Sequence, residues 1–186
     1  MNKRIGLVAA ALWGILVIVG GAGIGNAKQP PGPPPSCTPP LSEPNAACFS
    51  NTGPVAPGSC NGNTACDYNS ASIAANSCNQ PSTSSTLGAC EYNSGSVAPN
   101  SCDGGSACFD NSAAIAPNSC DADGACNGNS GSVGPGSCNG SNACGDNIAP
   151  IGPHSCNGFE ACGCNTTPIG PHQCNGDDAP CNKCPV

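Results

Sequence analysis

The chain has 186 residues, 18 of them cysteine, with one Trp, two Tyr and three Phe, and its formal net charge is −7. So few large side chains exclude a layered globular core. The four basic residues, Lys3, Arg4, Lys28 and Lys183, form no patch that could neutralise phosphates, which excludes nucleic acid as a partner.

Residues 1–27 have the pattern of a secretory signal peptide. Lys3 and Arg4 supply the positive start, residues 5–19 are an apolar run, and Gly25-Asn26-Ala27 offers small residues for cleavage. The alternative is an uncleaved N-terminal anchor. Residues 5–24 carry no charge, and about 20 such positions are enough to cross a bilayer. A membrane tether is expected only through these residues. Either way the rest of the chain is exported, extracellular or at the cell surface, where disulfides persist. Residues 28–36 read as a Pro-rich linker, inclined to extended polyproline II.

Residues 37–186 form a Cys-rich repeat domain. Its unit is 18 residues long and clearest at residues 133–150, VGPGSCNGSNACGDNIAP; the next copy reads IGPHSCNGFEACGCNTTP. A fixed period of this kind marks a stack of units, each burying its apolar face on its neighbours. A Ser-Cys pair opens seven copies, with Gln173-Cys174 as a degenerate eighth, and an Ala-Cys pair follows in those seven, six positions on in the short copies. Three positions later comes an asparagine: Asn51, Asn69, Asn93, Asn111, Asn129, Asn147, Asn165. One aliphatic residue completes the unit: Val55, Ile73, Val97, Ile115, Val133, Ile151, Ile169. Two copies are longer, and both insertions fall between the paired cysteines, at Cys37 to Cys48 and Cys78 to Cys90. Insertion at one point of the unit suits loops leaving a coil. The asparagines are expected to stack as a ladder at a corner, since an amide can bond both its own backbone and the Asn above. A second column, Asn61, Asn79, Asp103, Asp121, Asn139, Asn157 and Asn175, reads as another corner.

The unit divides into three hexads, VGPGSC, NGSNAC and GDNIAP, each with a small fifth residue. From Val55 to about Cys174 this resembles the hexapeptide repeat of left-handed parallel β-helices, which implies three short strands per triangular coil. The cysteine dyad is similar to that of the disulfide-stapled solenoid antifreeze proteins of insects, which implies bridges across the coil interior. The fold class expected is all-β: a parallel β-solenoid (β-helix) of about eight 18-residue three-sided coils stapled by disulfides. The first resemblance turns the cysteines outward and the second turns them inward. An oxidising compartment favours inward, because many exposed thiols would crosslink chains at random.

All 18 cysteines are disulfide candidates. Pairing within coils gives Cys37–Cys48, Cys60–Cys66, Cys78–Cys90, Cys102–Cys108, Cys120–Cys126, Cys138–Cys144, Cys156–Cys162 and Cys174–Cys181, leaving Cys164 with Cys184. Pairing between stacked coils, such as Cys60–Cys78, stays open, because a strand spacing of about 4.8 Å lies inside the allowed Cα window.

Candidate chemistry is thin. Asp121-Ala122-Asp123-Gly124, one coil from Asp103, has part of a calcium loop but too few oxygens, and Asp177-Asp178 has fewer. His154 and His172 share a repeat position that reads as variable and exposed. The tail CxxC, Cys181 to Cys184, lacks the second pair a zinc site needs. Thr is sparse and forms no column for ice, and the Ser before each first cysteine is a poor substitute. No nucleophile–base pair can be assembled from two histidines. No catalytic residue, cofactor or metal is therefore expected. The function expected is that of a secreted or cell-surface structural repeat protein: a rigid spacer, an envelope or matrix component, or an adhesive element. The alternative is a ligand-binding solenoid for calcium, ice or glycan. A surface glycan or a second copy of the chain is the conceivable partner.

Overall fold

The computed structural model describes residues 47–79 and 87–176, which lie in the compact unit Pro33–Val186. The signal or anchor segment, the linker, both insertions, Asp177-Asp178 and the tail CxxC lie outside the described residues.

Each copy of the unit makes one coil, and each coil hydrogen-bonds to its equivalents on either side. From the coil at 115–132, the N–H groups of Ala116, Cys120 and Ser130 donate forward to Val133, Ser137 and Asn147, at 3.0, 3.1 and 2.8 Å. Those of Ile115, Cys126 and Gly128 donate backward to Ser96, Ala107 and Phe109, at 2.9, 2.7 and 2.9 Å. Backbone groups on several sides of the coil are thus paired with both neighbours, as buried turns require.

These contacts do not make a β-solenoid. Among the described residues there is no helix and no sheet, and extended pairing is confined to six isolated parallel β-bridges along the column Val55, Ile73, Val97, Ile115, Val133, Ile151 and Ile169. The all-β, three-sided expectation is therefore corrected. The physical reason is the backbone. Every coil without an insertion turns through the left-handed region four times; in the coil at 97–114 this happens at Asn100, Cys102, Ser106 and Asp110, with φ of 55°, 63°, 55° and 52°. Each such residue costs about 1–2 kcal/mol for an L side chain and ends any run of strand dihedrals. The coil is a ring of tight turns with one extended residue pair per step.

The interior is narrow and filled by columns. Ile73, Val97, Ile115, Val133 and Ile151 are 2–4% exposed, and the cysteines and alanines beside them are nearly all fully buried. Six disulfides run within coils: Cys60–Cys66, Cys78–Cys90, Cys102–Cys108, Cys120–Cys126, Cys138–Cys144 and Cys156–Cys162. Cys48, Cys164 and Cys174 are also disulfide-bonded; the pairings written above for Cys37, Cys181 and Cys184 lie outside the described residues. In the chain-entropy picture a loop this short contributes about 2–2.5 kcal/mol, comparable to burying the one Val or Ile of a coil, about 1.5–3 kcal/mol.

The asparagine column stacks as a ladder whose side chains are part of the core: Asn69, Asn93, Asn111, Asn129, Asn147 and Asn165 are fully buried. Each side-chain amide donates to the Oδ1 of the preceding coil's asparagine, at 2.7–3.0 Å from Asn69 to Asn165. Asn111 uses its whole capacity: its second Nδ2 proton goes to the Ala113 carbonyl at 2.8 Å, and its Oδ1 also accepts the Ala113 N–H at 3.4 Å.

Three outcomes follow from this interior. Replacing Asn111→Ala strands buried groups on Asn93, Asn129 and Ala113 and lowers stability by about 2–4 kcal/mol. The isosteric Asn111→Asp loses at least as much, because a carboxylate has no donor for the Asn93 oxygen. Chemical denaturation of the oxidised protein measures both. Full reduction unfolds the stack, read as loss of slow backbone amide exchange; retained protection in the reduced chain would contradict it.

Candidate functional site

The serine before each first cysteine is fully engaged. Ser119 Oγ donates to the Gly134 carbonyl at 3.0 Å and accepts the Ser137 N–H at 3.2 Å. Ser59, Ser77, Ser101, Ser137 and Ser155 make the same pair of bonds, and all six serines are buried. These hydroxyls hold coils together and face no solvent.

Exposed hydroxyls lie elsewhere. Between the buried asparagine and the buried aliphatic residue, alternate positions are exposed. They form two exposed columns, one of Thr52, Ser70, Ser94, Ser112 and Ser130, the other including Ser72, Ser96 and Ser132. The alternation Asn-Ser-Gly-Ser-Val was the available signal in the sequence.

His154 and His172 stack with ring centroids 5.3 Å apart and planes 14° from parallel. Both are exposed. Their repeat position varies in residue but not in backbone conformation. Gly58, Asn76, Asn100, Asn118, Gly136, His154 and His172 all have φ between 54° and 78°, and Gly, Asn and His are among the residues that tolerate this region best.

The acidic motif does not converge. Asp123 Oδ1 accepts the Gly105 N–H at 2.8 Å, while Asp103 and Asp121 sit in the corner column. There, a side-chain oxygen usually accepts the preceding coil's N–H, as Asn139 does from Asp121 at 3.2 Å and Asp103 from Asn79 at 2.9 Å. The asparagines also donate. Asn139 Nδ2 reaches the Asn118 carbonyl and Asn157 Nδ2 the Gly136 carbonyl, each at 3.1 Å. A carboxylate cannot donate, and Asp121 Oδ1 is buried without a hydrogen-bond partner. Burial, then the charge of Asp103, pushes the Asp121 carboxyl up to about 6. Burial also raises Asp103, against the Asn79 hydrogen bonds that lower it. A shallow polar cleft of about 330 Å³ lies nearby, lined by Ser106, Asp123, Asn127, Ser141 and Asn142 among others.

The sulfurs of Cys120, Cys126 and Cys138 lie within 4.8 Å of one another, as do those of Cys156, Cys162 and Cys174. That is ligand spacing for a soft metal, but all six are held in disulfides. Every described cysteine is bonded, which fits an oxidising, extracellular environment. Among the described residues no helix is long and apolar enough to cross a membrane.

One surface feature escaped the sequence reading. Phe49, Tyr68, Tyr92 and Phe109 line up on one edge of four consecutive coils. Their signal was divided: the phenylalanines occupy one repeat position and the tyrosines the next.

Residues 82–179, just over half of the chain, match a family described as a domain of unknown function (DUF7640). No curated protein and no solved structure matches significantly.

Asp121 gives a pH test. Its folded carboxyl binds a proton more tightly than the ordinary value of 3.8, so its contribution is full below that pH and is lost as pH rises through about 6. Asp121→Asn restores the donor and removes the charge. It is expected to stabilise by about 1 kcal/mol at pH 7, a figure discounted because the group is half exposed, with the gain disappearing near pH 4. Thermal melts of both proteins across pH 3–8 read the difference; a gain independent of pH would refute it.

Proposed function

The chain belongs to the DUF7640 family, a domain of unknown function, and on the geometry above we propose that it is an exported, non-catalytic structural element. It acts as a rigid spacer, an envelope or matrix component, or an adhesive surface. One observation carries this reading: the repeated polar residues are committed to holding coil to coil. The serine hydroxyls and asparagine amides of the interior are hydrogen-bonded to the next copy, and the cysteines are crosslinked within each coil. A column assembled this way resists bending and local opening, because no coil can leave without stranding polar groups on both neighbours.

The reading includes secretion by way of residues 1–27, with the chain cut after Ala27 or held through residues 5–24. A second reading, a binding module for calcium, ice or glycan, draws support from the outward serine columns at Ser70, Ser94 and Ser130, which offer regularly spaced hydroxyls to a hydroxylated surface.

Fractionation of cells producing the full chain tests the proposal. The expected result is protein outside the cytosol, without titratable thiols, and with a new N-terminus at Lys28 if the segment is cleaved. Recovery of a soluble cytosolic chain with free thiols would overturn it.

A further inference from the structure

The aromatic edge is built from four rings in contact. Phe49 meets Tyr68 edge-on at 5.8 Å and 80°, Tyr68 stacks on Tyr92 at 4.9 Å and 3°, and Tyr92 meets Phe109 edge-on at 5.8 Å and 79°. Tyr68 and Tyr92 are 45% and 48% exposed. Stacking of coils does not need these rings. The next three coils carry Asn127-Gly128, Gly145-Asp146 and Gly163-Cys164 at the same two positions. They keep the same backbone bonds, 2.9 Å from Gly128 to Phe109, 2.8 Å from Asp146 to Asn127 and 2.7 Å from Cys164 to Gly145.

A carboxylate adjoins each of three rings in sequence: Asp67 before Tyr68, buried and accepting the Phe49 N–H at 2.8 Å; Glu91 before Tyr92, half-buried and accepting the Gly88 N–H at 2.9 Å; and Asp110 after Phe109, exposed. Burial and then, after the opposing Phe49 N–H bond, the charge of Glu91 act on Asp67, whose carboxyl is raised. Acid therefore faces acid along this edge. No Lys or Arg lies among the described residues. Tyr68 and Tyr92 cover one face of each other by stacking, whereas Phe49 and Phe109 stand nearly perpendicular to them, and a cation prefers a ring face.

We propose that the edge running from Phe49 to Asp110 docks an extended Arg/Lys-rich peptide segment of a partner protein. Charge complementarity carries the choice of occupant: the half-buried Glu91 and the exposed Asp110 stand beside Tyr92 and Phe109, and no Lys or Arg among the described residues neutralises them. Three coil steps of about 4.8 Å span about four residues of extended chain. Arg fits best, because its planar guanidinium can lie on a ring while its donors reach a carboxylate. The inference deepens the reading of the chain as a surface element by naming the chemistry it would hold.

Labelled octa-arginine, titrated into the oxidised full-length chain and followed by fluorescence polarisation, tests it. Binding is expected, weakening as salt rises. Glu91→Gln, Asp110→Asn and Phe109→Leu should each weaken it by about two- to fivefold; the first two keep shape and acceptors. Asp146→Asn and Glu160→Gln, on other coils, should leave it unchanged. Melting midpoints equal to wild type show that a loss is not misfolding. Equal losses from the two control substitutions would mean diffuse charge and overturn the proposal. So would absence of binding, or salt-independent binding of a neutral cello-oligosaccharide that displaces the peptide. Failure here with the chain exported and its thiols blocked would leave the structural role standing.

Discussion

The structure depends on one interaction, the side-chain amide of each asparagine donating to the amide of the asparagine one coil before it. From Asn69 to Asn165 this chain is unbroken. An amide can do this because it carries donors and acceptors in one flat group. Each rung takes a proton from one side and gives one to the other, so a column of identical residues closes its own polar accounts in a dry interior. Asp could not replace it, lacking a donor. The same rule explains the strain at the corner column, where Asp121 takes the place of an amide and leaves Oδ1 unpartnered.

Everything else in the interior follows from how little room this leaves. Beside the asparagines the core holds one aliphatic side chain, alanines, small hydroxyls and sulfurs. Burial of a single Val or Ile per coil is too weak to offset the ordering of 18 residues. Columnar hydrogen bonds and disulfides supply the rest, and both require the period to be strict. The glycines at one repeat position show the same discipline. A Cβ on Gly95 or Gly131 would overlap the carbonyl oxygen of Ala113 or Ala149 in the next coil. Alanine and glycine accordingly alternate at this position through Gly53, Ala71, Gly95, Ala113, Gly131 and Ala149.

Much of this was legible in the sequence because each interior demand is repeated at a fixed period. The period, the cysteine dyad, the asparagine ladder and the insertion points all came from spacing. The path of the backbone did not. Left-handed turns are easily read where glycine or asparagine marks them, as at Gly136 and Asn118, but this coil also places Cys102, Tyr92, Glu160 and Thr64 there. Tertiary bonding imposes that conformation on residues that do not advertise it. Hexads read as strands were therefore turns. The exposed edge was illegible for a different reason. Column-by-column reading finds identity at one position, and the ring cluster is made by neighbours in two positions.

The two kinds of position lead to different expectations for function. Interior columns are constrained by the copy above and the copy below, so they vary little along the stack and carry no information about a partner. Outward positions are released from that constraint, because the interior already satisfies the backbone and holds the coils. Where outward residues nevertheless form a pattern, the stack itself does not account for it. Rings occupy this edge in the coils from Phe49 to Phe109 and are absent from the same two positions in the next three coils, Asn127-Gly128, Gly145-Asp146 and Gly163-Cys164, although the interior columns continue unchanged. A scaffold indifferent to its surface would show no such division, and the division places the distinguishing chemistry of this chain on that edge.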